Sequence, residues 1–223
     1  MRRARHLSHC AIALFGLCIG AMLGSDGGSV DAHHTSGWFD GNKWANDPPI
    51  MVGWLEPELS FPAAELTNTL NRVVAAASTW SAVAGSTWDP YYWGQSSYYQ
   101  WSGSVCASSP AGYITMMSWD IASIAQTNKA NCSGNLTVVI RHDTTPVWYN
   151  DASAASLPAG QRDFQSSATH ELGHAGGFHN VHFSGSAACP GGSAQSTMCE
   201  SSSANFHWRT LTSHDISVFA YEY

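Results

Sequence analysis

Residues 163–179 read Asp-Phe-Gln-Ser-Ser-Ala-Thr-His-Glu-Leu-Gly-His-Ala-Gly-Gly-Phe-His, and no other stretch constrains the fold of this chain as tightly. A helix over this segment puts His170 and His174 on one face, one turn apart. Asp163 stands where a helix begins: its carboxylate can accept from free backbone N–H groups, and its charge complements the N-terminal end of the helix dipole. Gly176 and Gly177 follow the second histidine, where helix propensity is poor and a left-handed turn is cheap, so the helix must stop there.

Two imidazoles on one helical face can hold a single metal ion, and Glu171 beside the first lies near the position they leave open. A glutamate there can take a proton from water and return it to a leaving amine, the chemistry of peptide-bond hydrolysis at zinc. His179 follows the glycine turn as a further ligand, and Ser196-Thr197-Met198 lies 24 residues after His174, where a methionine-bearing turn beneath a metal is expected. The expectation is a zinc-dependent endopeptidase.

Residues 1–32 have the form of a secretory signal, with Arg2, Arg3 and Arg5 ahead of an apolar run from Ala11 to Gly24 and a small-x-small site at Val30-Asp31-Ala32. The predicted organisation is a signal peptide at 1–32, a loosely held arm at 33–47 and a catalytic domain at 48–223, exported and monomeric. No membrane association is expected once the leader is removed. No pro-segment with a zinc-blocking cysteine is expected between leader and domain. Beyond the leader remain Cys106, Cys132, Cys189 and Cys199. An even number in an exported chain predicts two disulfides, and the pairing Cys106–Cys132 with Cys189–Cys199 closes the shortest loops. With the leader set aside, six Lys/Arg face fourteen Asp/Glu. The resulting acidic balance, with no basic patch, excludes nucleic acid as a natural partner.

Periodicity supplies the outline. Pro49 to Leu55 reads as a strand. Ala63 to about Ala84 reads as a helix with Leu66, Leu70, Val73, Val74, Ala77 and Trp80 on its apolar face, stopped by Gly85. Residues 86–119 hold a dense aromatic patch read as strands and loops. Asn135 to His142 is the clearest strand, with Val138 and Ile140 facing one side and Val139 the other. Residues 143–160 read as loop. His142 and Asp143 are weighed as a second zinc site and read instead as a satisfied loop pair. Thr212 to Tyr223 reads as a C-terminal helix packed through Ile216, Phe219 and Ala220.

Together, His170-Glu171-x-x-His174-x-x-Gly177 with a following histidine, Ser196-Thr197-Met198, and the ending Leu211-Thr212-Ser213-His214-Asp215-Ile216 resemble the metzincin clan of metalloproteases, in particular its matrixin-like branch. The resemblance implies an α/β (α+β) zincin-like fold: a twisted, mostly parallel sheet, an active-site helix and a small C-terminal subdomain. It implies His170 and His174 as zinc ligands, Glu171 as general base and acid, Gly177 as the redirecting turn, Met198 as the floor beneath the metal and Asp215 as support for the methionine turn. Strand 136–142 would be the edge on which an extended peptide or protein substrate pairs.

One departure concerns the third ligand. The family spacing falls on Asn180, whereas the histidine, His179, comes one residue early. The alternatives are His179 through a shortened turn, His182 further on, Asn180 itself, whose amide oxygen is a poor zinc donor, or a site disabled by the deletion. Calcium accompanies such enzymes, but no residue pattern here assigns a site. The rival reading is a non-catalytic secreted binding module that keeps a structural zinc and works through its aromatic surface.

Overall fold

The computed structural model describes residues 43–53, 66–96, 99–151, 157–180, 196–199 and 209–223. The predicted leader, His182 and Cys189 lie outside them.

The architecture is mixed α/β around a mostly parallel sheet. Five strands, β1 (Pro49–Val52), β2 (Tyr91–Gln95), β3 (Ile114–Ser118), β4 (Ala125–Cys132) and β5 (Asn135–His142), lie in the order β2-β1-β3-β5-β4. The pairs β1–β2, β1–β3 and β3–β5 are parallel, and β4 runs antiparallel to β5. The central strands are apolar on both faces because both faces are covered. Val138 and Ile140 enter the main core, and Val139 enters a smaller cluster behind it with Val105, Met117 and Cys132.

Helices α1 (Leu66–Ser81) and α3 (Phe164–Ala175) contribute much of the main core, including Val73, Ala76, Ala77 and Trp80 from the first and Phe164, Ala168, Leu172 and Ala175 from the second. A short helix, α2 (Val105–Ser108), lies against the other face of the sheet. Cys106 of α2 is bridged to Cys132 at the end of β4. Cys199 is also disulfide-bonded. Strands β6 (Trp148–Tyr149) and β7 (Arg162–Asp163) form a small parallel pair, and α4 (Ser213–Glu222) closes the described chain. A capping box starts α4: the Thr212 side chain accepts from Asp215 N–H, and Asp215 accepts from the Thr212 backbone. No helix among the described residues is long and apolar enough to cross a membrane.

Several expectations need correction. Strand 136–142 is not an edge: β5 lies between β3 and β4, and β4, unanticipated in the sequence, is the outer strand. Helix α1 ends at Ser81, and Gly85 (φ 88°) turns the chain four residues later. Val74 on α1 and Ile216 on α4 are each 40% exposed, while Thr69 and Val218 are buried instead. The aromatic patch divides: Trp88 belongs to the core, and Tyr91 and Trp93 project from edge strand β2. Residues 43–47 are held rather than loose, since Trp44 Nε1 donates to the Ala175 carbonyl at 2.8 Å and Lys43 pairs with Glu222 at 3.2 Å. His142 is not in a loop pair. It ends β5 fully buried, with its ring 4.7 Å from that of Phe164 and 5.5 Å from that of Trp148.

Candidate metal centre

Helix α3 starts on Asp163, whose carboxylate accepts from Ser166 N–H at 2.9 Å and pairs with Arg209 at 2.5 Å. The ion pair is almost wholly buried on the aspartate side, so it ties the start of the helix to the segment leading into α4. At the other end, Gly177 takes φ 105°, which glycine adopts without a Cβ penalty. That turn drives Phe178 into the core, where its ring stacks 5.7 Å from Trp80 and 5.2 Å from Phe219.

Between these anchors the two histidines meet, with ring centroids 4.7 Å apart and planes at 88°. His170 Nδ1 lies 2.7 Å from the Thr197 carbonyl, and His174 Nδ1 lies 2.7 Å from the Phe178 carbonyl. A carbonyl can only accept, so both Nδ1 atoms carry the proton and both Nε2 atoms keep a lone pair. This is the tautomer that binds a metal, fixed by carbonyls in the usual manner of metal-ligating histidines. Burial pushes both pKa values below the ordinary histidine value. The Thr197 carbonyl, the Asn180 side chain and Asp215 at His170, and Glu171 and the Phe178 carbonyl at His174, pull the other way less strongly. At neutral pH both rings are therefore neutral donors.

Glu171 is buried beside them. Burial raises its pKa, and the charge of His174 and a hydrogen bond from Thr127 oppose that rise. Thr127 Oγ1 donates to Glu171 Oε2 at 2.6 Å, leaving Oε1 as the carboxylate oxygen without a hydrogen bond among the described residues. Lys129, two residues along the same strand, donates to the His174 carbonyl at 2.8 Å. Edge strand β4 thus grips α3 through both residues, neither of which stood out in the sequence.

Below the histidines, the Ser196 hydroxyl donates to Asp215 Oδ1 and Thr197 N–H donates to Oδ2 at 2.9 Å, and Oδ2 also accepts from Thr212 N–H at 2.9 Å. This carboxylate fixes the turn that presents the Thr197 carbonyl to His170 and buries Met198 completely. Gly173 is what lets Met198 approach the helix. A Cβ there would lie 2.2 Å from Met198 Sδ and 2.8 Å from Trp80 Cζ2. The Trp80 indole cannot step aside without losing its 2.8 Å bond to the Thr169 carbonyl. Gly173→Ala is expected to cost about 1–3 kcal/mol by overpacking and to weaken metal binding, as read by denaturant unfolding and zinc titration. Gly176→Ala, whose Cβ would meet Phe219 Cε2 at 3.1 Å, should be milder.

His170, Glu171, His174, Met198 and Asp215 are therefore gathered in one place. His179 is not: its side chain is exposed, and among the described residues no group of three or more His, Cys, Asp or Glu side chains forms a metal site. Asn180 is turned inward instead. Its Oδ1 is buried with no hydrogen-bond partner among the described residues. Two oriented Nε2 lone pairs and one unsatisfied oxygen fit a divalent cation. No family model matches the chain, and comparison with curated proteins finds no match.

Proposed function

We propose that the chain is a secreted zinc endopeptidase of metzincin, matrixin-like type, with a zincin-like catalytic domain. The observation that carries this reading is the pair of neutral imidazoles locked with Nε2 free beside the buried Glu171. His170 and His174 would hold the zinc. When bound, the ion supplies a Lewis acid that polarises the scissile carbonyl and makes water acidic enough to ionise near neutral pH. Glu171 Oε1 takes the proton of the attacking water and returns it to the leaving amide nitrogen. Thr127 holds Oε2 and so sets which oxygen faces the reaction.

The substrate is a peptide in extended form. Among the described residues the outer edge of β4 has no strand partner, and an edge strand accepts another by backbone hydrogen bonding. A peptide added there would run alongside the strand that carries Thr127 and Lys129, next to Glu171.

The test is cleavage of an unstructured protein by the purified chain. Chelation should abolish cleavage, and added zinc should restore it. Tight zinc binding without turnover would favour the non-catalytic binding module, and absence of zinc binding would overturn the reading.

A further inference from the structure

The chain departs from the resemblance at the third ligand, and the geometry after Gly177 bears on which residue fills it. Phe178 is locked into the core by Trp80 and Phe219, and its carbonyl is held by His174. In an extended segment successive side chains alternate in direction. With Phe178 inward, His179 must point out and Asn180 must return, as their exposures show. The histidine that arrives one residue early is therefore carried to the solvent side by the alternation itself.

The side chain of Asn180 bears on the ring of His170, where it opposes the lowering of that ring's pKa by burial. Nδ1 of that ring is already bonded to the Thr197 carbonyl, so Nε2 is the ring atom that keeps a lone pair. Nε2 offers a lone pair, and the amide Oδ1 also offers only lone pairs, so the two cannot satisfy each other. A buried carbonyl oxygen with no donor is costly and needs an explanation. A cation between the two satisfies both atoms at once.

Resting on the zinc-site reading above, we propose that Asn180, through Oδ1, is the third protein donor to the metal held by His170 and His174, and that His179 is not a ligand. A neutral amide oxygen binds zinc more weakly than an imidazole or a carboxylate. The site would then hold its metal less tightly than a three-histidine centre, and occupancy would follow the free zinc level.

The experiment titrates zinc into the purified metal-free chain against a chromophoric chelator, and records the visible spectrum of the cobalt(II)-substituted protein. His179→Ala should leave affinity within about twofold and the cobalt bands in place. Asn180→Leu should weaken zinc about tenfold or more and shift those bands, because the ligand set changes. Asn180→Asp, which adds charge without adding bulk, should tighten zinc about tenfold, a gain that a misfolded variant could not give. Wild-type affinity in both Asn180 variants would overturn the inference, and so would a loss in His179→Ala or His182→Ala with Asn180→Leu unaffected. His170→Ala separates the two levels of the argument. If it abolishes zinc binding while the Asn180 variants change nothing, only the third donor is wrong. If wild type itself binds no zinc, the site reading fails with it.

Discussion

Replacing Glu171 by glutamine should lower kcat/KM for peptide cleavage by about 10³-fold, within the range that general acid–base groups contribute, while zinc affinity and thermal stability stay near wild type. The substitution conserves volume in a position only 5% exposed. The amide oxygen can still accept from Thr127 Oγ1, so the local structure has no reason to change. What is lost is the ability to accept a proton at Oε1. The measurement is steady-state cleavage of a fluorogenic peptide, alongside zinc titration of the same preparation. Cleavage near the wild-type rate would show that this carboxylate is not the base. Equal loss of zinc and activity would show that Glu171 supports the metal rather than the proton transfer.

The parts of this site that could be read from the sequence are those with strong local chemistry. Asp163 caps α3, and Gly177 ends its turn at a positive φ, because a free N–H and a left-handed backbone each restrict the residue type. Strand β4 could not be read the same way. Ala125–Cys132 is polar along most of its length, with no apolar alternation, and among the described residues its outer edge has no partner strand. Its position is dictated by non-local pairing with β5 and by the bridge from Cys132 to Cys106. One local signal was present: Ser133 and Gly134, both at positive φ (54° and 86°), join Cys132 to its partner Asn135, which is a two-residue hairpin turn. The misplacement of β5 at the edge has a sequence remedy too. Val138, Val139 and Ile140 are consecutive apolar residues, which a strand tolerates when buried on both faces. The proposed third donor was offered by the family spacing, which falls on Asn180, but spacing alone could not set it apart from His179. Spacing counts residues, whereas the direction of residues 179 and 180 is set by where Phe178 anchors, and that depends on Trp80 and Phe219, both more than 40 residues from Phe178 in the chain.

The second large effect expected is on acid stability, and it comes from His142. Its ring is fully buried between Phe164 and Trp148, and neither ring nitrogen has a hydrogen-bond partner among the described residues. Burial lowers its pKa from 6.5 to about 3. The unfolded chain therefore binds a proton at this residue below pH 6.5 that the folded chain refuses until about pH 3. Since the unfolded state carries more protons in that window, stability falls as the pH drops through it, by about 1.4 kcal/mol per unit and some 4–5 kcal/mol in all. That is comparable to the whole stability of a small domain, about 5–15 kcal/mol. His142→Phe keeps a planar ring among aromatic neighbours and removes both the titration and the unpaired nitrogens. The variant is expected to be as stable as wild type or more so at neutral pH, and to keep its fold to distinctly lower pH. Urea unfolding from pH 7 to pH 4, with chelator present throughout so that metal loss from His170 and His174 does not contribute, measures the difference. Parallel acid profiles for the two proteins would show that His142 is not the group that makes the fold acid-sensitive.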